Sequence, residues 1–226
     1  MAPIAASSTN IRNMQKIELI NTLPAVFAGA DVHSEVWHCH VTLERGRRYL
    51  VTAESGTGKS SMCSYIYGHR RDYSGTIAFD GADVRGLTIE QWCDVRRRHI
   101  AYLPQEMRLF AELTVLENIA LKNSLTGHKT RPEVEQMLDM LGIADKANSL
   151  VGKLSIGQQQ RVAVVRTLCQ PCDFFLLDEP VSHLDEHNNR MVAQLVMEEA
   201  QRQGAGIIAT SVGNHLAMDV DHILKL

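Results

Sequence analysis

The chain predicts an α/β domain on three observations. A β-rich run, Arg48 to Thr52, breaks at a string of small residues and gives way to an apolar helical stretch, Met62 to Tyr67. A continuous apolar run, Phe174 to Leu177, ends on the paired carboxylates Asp178 and Glu179, and a second such run, Gly206 to Thr210, follows a helical segment from Asn189 to Gln203. Unbroken apolar strands that alternate with helices belong to buried parallel sheets. A length of 226 residues with 45% hydrophobic content suits one compact domain with a subdomain and leaves little room for a second full domain.

The elements follow in chain order. Residues 1–14 are expected to form a flexible extension, since Met1 to Asn13 is rich in Ala, Ser and Asn and has neither a basic opening nor a long apolar core; Met14 is an alternative start. The domain then occupies 15–226. From Ile17 to Gly81 the chain is strand-rich, with a strand over Glu35 to Leu43 and a hairpin in which Asp80-Gly81 turns the strand Thr76 to Phe79. Glu90 to Arg98 reads as a helix leading into the strand His99 to Leu103. Thr114 to Leu121 and Pro132 to Leu141 carry helical apolar spacing, the second opening on proline and closing at Gly142. Val162 to Cys169 is helical, and after Thr210 a short helix over Asn214 to Met218 precedes a terminal strand, His222 to Leu226.

The string after Thr52 is Ala53-Glu54-Ser55-Gly56-Thr57-Gly58-Lys59-Ser60. Between a strand and a helix it reads as a phosphate-binding loop. Small residues let successive N–H groups curl around phosphates, Lys59 reaches the outer ones, Ser60 ligates Mg²⁺, and the following helix points its positive end at the anion. The pattern G-x-x-x-x-G-K-[ST] departs only at Ala53, which adds one methyl and is tolerable wherever φ stays negative. At the end of the Phe174 strand, Asp178 would hold Mg²⁺ through water and Glu179 would orient or deprotonate an attacking water. Between the two motifs lies Leu154-Ser155-Ile156-Gly157-Gln158-Gln159-Gln160-Arg161, in which Ser155 is a good N-cap and Gly157 allows close approach at a helix N-terminus.

Here the chain resembles the ATP-binding cassette (ABC) family, whose signature reads Leu-Ser-Gly-Gly-Gln, and the order of motifs agrees from about Ile17 to the C-terminus. The resemblance implies a P-loop NTPase core of ABC ATPase type, an antiparallel β subdomain and a helical subdomain at about 106–153. It makes Ala101 to Gln105 a Q-loop, in which Gln105 touches Mg²⁺ and senses the γ-phosphate, and Ser182-His183-Leu184-Asp185 the D-loop between two ATP sites. The catalytic set is Glu179, Gln105 and Lys59, and the Mg²⁺ set Ser60, Gln105 and Asp178. ATP contacts fall to Phe27, stacked on adenine, to Glu54, Ser55, Gly56, Thr57, Gly58, Lys59, Ser60 and Ser61, and to Ser155, Gly157, Gln158 and Ser211. The signature faces ATP bound to a second subunit.

Ile156 replaces the first signature glycine, and Ser211 stands where the family has its switch histidine. Serine lacks imidazole's reach and charge, so the resemblance implies slow hydrolysis. His215, four residues on, is a conceivable substitute. After the Q-loop, Arg108 to Ile119 is similar to ATPases of lipoprotein-release, macrolide-export and cell-division type transporters, which implies a homodimer, or a dimer with a related ATPase, docked on an integral membrane subunit through a partly apolar groove beside the Q-loop. The site of action would be cytoplasmic, peripheral at the inner face of the membrane. No stretch approaches the roughly 20 apolar residues that cross a bilayer, so a transporter made as one chain is not expected. A nucleotide-operated regulatory module with weak turnover is the alternative.

A net charge of -3 and pI near 6.4 argue against a nucleic-acid partner. The five scattered cysteines read as reduced thiols, and Cys169-Gln170-Pro171-Cys172, which lacks a complementary pair, reads as structural.

Overall fold

The structure is a computed structural model that describes residues 13–54 and 56–226. The expected flexible extension over residues 1–12 and the loop residue Ser55 lie outside the described residues. In chain order the elements are β1 (Lys16–Pro24), β2 (His40–Glu44), β3 (Arg48–Thr52), α1 (Lys59–Ile66), β4 (Tyr73–Phe79), β5 (Ala82–Asp83), α2 (Ile89–Asp94), β6 (Ile100–Leu103), α3 (Val115–Asn123), α4 (Arg131–Met140), α5 (Ile156–Leu168), β7 (Phe174–Asp178), α6 (Glu186–Gln203), β8 (Gly206–Ser211) and β9 (His222–Lys225).

The first sheet is antiparallel, in the order β2-β1-β4-β5, and its register sets apolar residues opposite one another: Ile17 against Leu43 and Phe79, Leu19 against Val41 and Ile77. Such cross-strand pairs stabilise a sheet whose one face is buried. Asp80 and Gly81 both take positive φ, 49° and 84°, as the tight hairpin turn requires, and the Asp80 carboxylate accepts the Gln15 and Lys16 N–H groups.

The second sheet is parallel, in the order β6-β7-β8-β3-β9. Every residue of β7 and β8 is buried, which explains their unbroken apolar runs. Alternate residues of β7 face opposite layers. Phe174 and Leu176 pack in the core with Met62, Cys63 and Ile66 of α1, whereas Phe175 and Leu177 pack in the core with Val162 and Val165 of α5 and Val192 and Val196 of α6. Residues 106–153 contribute α3 and α4, and among the described residues their one ladder contact is a bridge between Thr114 and Leu150. Four helices start in reciprocal capping boxes: Thr88 with Gln91, Thr114 with Glu117, Thr130 with Glu133 and Ser155 with Gln158.

Four expectations need correction. The strand placed over Glu35 to Leu43 begins only at His40: the Ser34 hydroxyl accepts the N–H groups of Val36 and Trp37, His38 sits at φ 58°, and the apolar pair Val36-Trp37 is buried in a turn. The helix placed over Glu90 to Arg98 is α-helical to Asp94 and then widens into a π-turn over Val95–His99. Asn214 to Met218 is not helical, because its backbone is held by side chains instead: Asn189 donates to the His215 carbonyl and accepts from the Ala217 N–H. Met14, assigned to the extension, is fully buried.

The Met14 N–H donates to the Asp173 carboxylate at 2.7 Å, just before β7 and at the sheet edge opposite the motifs. The same buried carboxylate bonds His99 Nδ1 at 2.6 Å and pairs with Arg45 at 3.0 Å. Removing a hydrogen-bonded buried charge leaves its partners uncompensated, so Asp173→Ala should lower stability by about 3 kcal/mol. Urea denaturation checks this; a loss below about 1 kcal/mol would show the cluster to be dispensable.

Candidate functional site

The carboxyl ends of β3, β6, β7 and β8 converge, as open α/β sheets bring their strand ends together at a crevice. From β3 comes the loop. Gly56 and Gly58 take φ of 86° and 100°, which only glycine adopts without strain, and Ala53 stays out of the positive-φ region, so its methyl is accommodated. The Ala53 N–H donates to the Ser211 carbonyl at 3.3 Å, and Thr57 Oγ1 donates to the Glu54 carbonyl at 2.9 Å.

Gly58 is fixed by packing as well as by φ. A Cβ there would lie 3.2 Å from both Phe27 and Trp37, and the Trp37 indole donates to the Thr57 carbonyl at 3.1 Å. Phe27 therefore sits against the loop, and Trp37, which sequence reading did not single out, props it from the same side. Only the break in the strand at Ser34 brings Trp37 there.

Lys59 is buried, with Nζ 3.0 Å from the Glu54 carbonyl and 4.0 Å from the Glu179 carboxylate. Ser60 Oγ donates to Gln105 Oε1 at 3.5 Å, and Gln105 Nε2 donates to Glu179 Oε2 at 3.4 Å. Asp178 is 1% exposed, and burial raises its carboxyl above the usual range, opposed by hydrogen bonds from Thr210 and Ser60. Lys59, Ser60, Gln105, Asp178 and Glu179, drawn from three separate stretches of sequence, thus form one cluster. Ser61 turns aside: its hydroxyl accepts Arg70 at 3.0 Å.

Thr210 joins the two acids. Its hydroxyl donates to Asp178 Oδ1 at 2.7 Å and accepts the Glu179 N–H at 3.1 Å. Glu179 itself is held at φ 50°, a costly conformation for a non-glycine residue and one that gathers at functional sites. Gln160 is the other residue missed from sequence. Almost fully buried on α5, it donates to the Glu179 carbonyl at 3.1 Å and accepts the His183 N–H at 2.9 Å. Thr210 lies inside a run already assigned to a strand and Gln160 inside the signature segment, and nothing local marks either as a brace for Glu179.

The signature residues keep to themselves. Ser155 and Gln158 hydrogen-bond each other, and Gly157 allows close approach of the His183 carbonyl, 3.1 Å from where a Cβ would stand. Ile156 is 48% exposed at the first turn of α5. Ser211 is buried, and its hydroxyl has no hydrogen-bond partner among the described residues. Cys169 and Cys172 are buried, and burial pushes the Cys169 thiol up to about 12.

Beside Gln105 lies a groove of about 290 Å³ walled by Tyr67, Tyr102, Phe110, Leu121, Lys122 and Arg166. Phe110 and Leu121 are exposed, whereas Leu109 and Leu113 are half-buried. Burial, reinforced by Arg166, lowers the Lys122 ammonium to about 8.

A phosphate loop, a capped signature helix and a carboxylate strand in this order define a nucleotide-binding cassette. Residues 37–182 match the family model described as ABC transporter, and the chain belongs to that family. It is 30% identical over 189 residues to the macrolide export ATP-binding/permease protein MacB of Aggregatibacter actinomycetemcomitans, a match covering 82% of this chain and 29% of that protein. The chain therefore spans less than a third of the MacB relatives. It is 27% identical over 211 residues to the lipoprotein-releasing system ATP-binding protein LolD of Shewanella denitrificans, covering 92% of this chain and 91% of that one. Among solved structures it resembles the bacterial ABC transporter cassette MJ0796, solved as a dimer, at 25% identity and a TM-score of 0.74 over 86% of this chain and 87% of that one. The same cassette bound to ADP and Pi matches with a TM-score of 0.70.

Gly58→Ala should weaken Mg-ATP binding at least about tenfold, because it adds strain at φ 100° to a collision with Phe27 and Trp37. Gly56→Ala meets no atom within 4 Å and should weaken it less. Titration of both variants with a fluorescent ATP analogue compares them; equal losses would show that packing against Phe27 and Trp37 contributes nothing.

Proposed function

We propose that the chain hydrolyses MgATP slowly and passes nucleotide-driven closure to a separate integral membrane subunit of an export-type transporter, from the cytoplasmic face of the membrane. The observation that carries this reading is the single cluster of Lys59, Ser60, Gln105, Asp178 and Glu179 at the mouth of the phosphate loop. Phosphoryl transfer depends chiefly on positioning and charge stabilisation, and this cluster supplies both.

In this reading the loop N–H groups and Lys59 hold the phosphates, and Phe27 stacks on the base. Ser60, Gln105 and Asp178 offer oxygen donors only, the set that suits Mg²⁺, which would neutralise phosphate charge when bound. Glu179 accepts a proton from the attacking water, and the Thr210 hydroxyl and Gln160 amide hold the Glu179 backbone in place while it does so. Two copies, or this chain and a related one, enclose two ATP molecules, each between one loop and the partner's Ser155, Gly157 and Gln158. The dimeric MJ0796 cassette and the LolD and MacB relatives support that assembly. The groove beside Gln105, with Phe110 and Leu121 exposed, is where a helix of the membrane subunit docks. Among the described residues no helix is long and apolar enough to cross a membrane.

A second reading, a regulatory module that dimerises on ATP without appreciable turnover, is favoured by one observation, the buried hydroxyl of Ser211, which has no hydrogen-bond partner among the described residues.

Phosphate release by purified protein with Mg-ATP separates the two. The wild type should exceed Glu179→Gln, and the membrane subunit should stimulate it further. A wild-type rate equal to that of Glu179→Gln, with ATP-dependent dimerisation intact, would select the regulatory reading.

A further inference from the structure

The groove beside Gln105 is only partly apolar. Phe110 and Leu121 stand exposed in its wall, and Leu125, one turn further along the same stretch, is 56% exposed. The wall also carries three cations, Arg108, Lys122 and Arg166, and no carboxylate is found among the described residues that line it. Glu106 comes within 3.9 Å of Arg108, and both of those side chains stand mostly in solvent.

Lys122 and Arg166 are held in this wall without a counter-charge. Lys122 Nζ donates to the Arg96 carbonyl at 3.4 Å, and Arg166 commits two nitrogens to the carbonyls of Met107 and Arg108. Carbonyl oxygens take up hydrogens but do not balance charge. Burial, reinforced by the Arg166 charge, lowers the Lys122 ammonium to about 8, and burial lowers the Arg166 guanidinium as well. Two like charges withdrawn from water into one wall are costly until an anion joins them. Elsewhere in the chain such cations are matched: Lys129 and Arg202 share the buried carboxylate of Glu199, each at 2.6 Å, and Arg45 pairs with Asp173 at 3.0 Å.

A groove of about 290 Å³ takes a few side chains, not a globular surface. Apolar anchors around a cationic pair complement an amphipathic helix that carries one carboxylate among apolar residues. We propose that the docking helix of the membrane subunit places a carboxylate side chain, Glu or Asp, against Lys122 and Arg166, with apolar residues one turn to either side covering Phe110 and Leu121. This rests on the docked assembly proposed for the cassette and adds the charge by which the partner is chosen. The planar guanidinium of Arg166 sets the direction of the carboxylate, whereas Lys122 contributes a point charge. A helix with an amide at that position would cover the two cations with nothing to balance them, and a helix with a lysine would add a third. The pair therefore selects against membrane subunits that lack the acid.

Fluorescence anisotropy on the full chain, with labelled amphipathic peptides of about fifteen residues as the probes, tests the charge. The peptides share Leu at i−4, i−3, i+3 and i+4 and differ only at the central residue, which is Glu, Gln or Lys. The Glu peptide should bind at least about tenfold more tightly than the Gln peptide, and the Lys peptide more weakly still, with the gap narrowing at high salt. Lys122→Met should remove most of the Glu preference, and Lys122→Glu should shift it toward the Lys peptide, which a merely structural lysine would not do. Thermal unfolding of both variants checks that the fold is kept. Glu and Gln peptides that bind the wild type alike, or a series in which none binds, overturn the assignment. Displacement of the Glu peptide by equimolar sodium acetate also overturns it and makes the groove a site for small anions. A wild type no faster than Glu179→Gln, or one that the membrane subunit does not stimulate, removes the motor reading while the peptide series still decides the charge.

Discussion

Asp178 must be kept polar at the end of a strand that is otherwise wholly apolar, and most of the site depends on how that is done. A carboxylate 1% exposed is costly unless its lone pairs are satisfied. Thr210 on the adjacent strand satisfies one of them, and it can do so only because β7 and β8 are parallel and in register, with Asp178 opposite Thr210. The same hydroxyl receives the Glu179 N–H, so the turn that lifts Glu179 to φ 50° is pinned by the bond that stabilises Asp178. Acid burial, strand register and backbone strain are therefore one problem with one solution. A slip of one residue in β8 would undo all three.

From that point the geometry spreads through side-chain amides. Gln160 joins α5 to the Glu179 carbonyl and the His183 N–H, and Asn189 and Asn214 join α6 and the segment after β8 to the stretch Val181–Leu184. An amide side chain donates and accepts at once, which suits it to bridging irregular backbone that has no ladder of its own. Gly157 completes the arrangement, since any side chain there would press on the His183 carbonyl. The first turn of α5 and the turn after the carboxylates consequently cannot move independently.

Much of this was legible in the sequence where a local rule fixes local structure. The Ser155 N-cap starts its helix, Pro132 opens another, Asp80-Gly81 makes its hairpin turn, and the apolar runs of β7 and β8 announce burial on both faces. The phosphate loop and the acids could be read because their spacing carries the chemistry. Legibility ended where a side chain overrides a pattern. Glu35 to Leu43 reads as one strand, yet the Ser34 hydroxyl folds its opening residues into a turn, and that turn delivers Trp37 to the loop. Asn214 to Met218 has helical spacing, yet Asn189 takes its backbone bonds. Thr210 and Gln160 look like ordinary interior residues until the strands are paired and the helix is laid beside them.

The groove beside Gln105 shows how a surface contact can reach the acids. Met107 and Arg108, just past Gln105, both hold positive φ, 59° and 50°, without being glycine. Two bonds keep them there, for the Arg166 guanidinium of α5 donates to the carbonyls of both Met107 and Arg108. Arg166 also walls the groove, together with Lys122, and burial lowers both cations, with no carboxylate among the groove-lining residues to offset that burial. Arg166 thus ties the groove to the strained turn that follows Gln105 in the chain, and Gln105 bonds both Ser60 and Glu179. Groove and acids are joined by hydrogen bonds at each end and by the covalent chain from Gln105 to Arg108 between them, so a change in the surroundings of Arg166 bears on a backbone already held in a costly conformation.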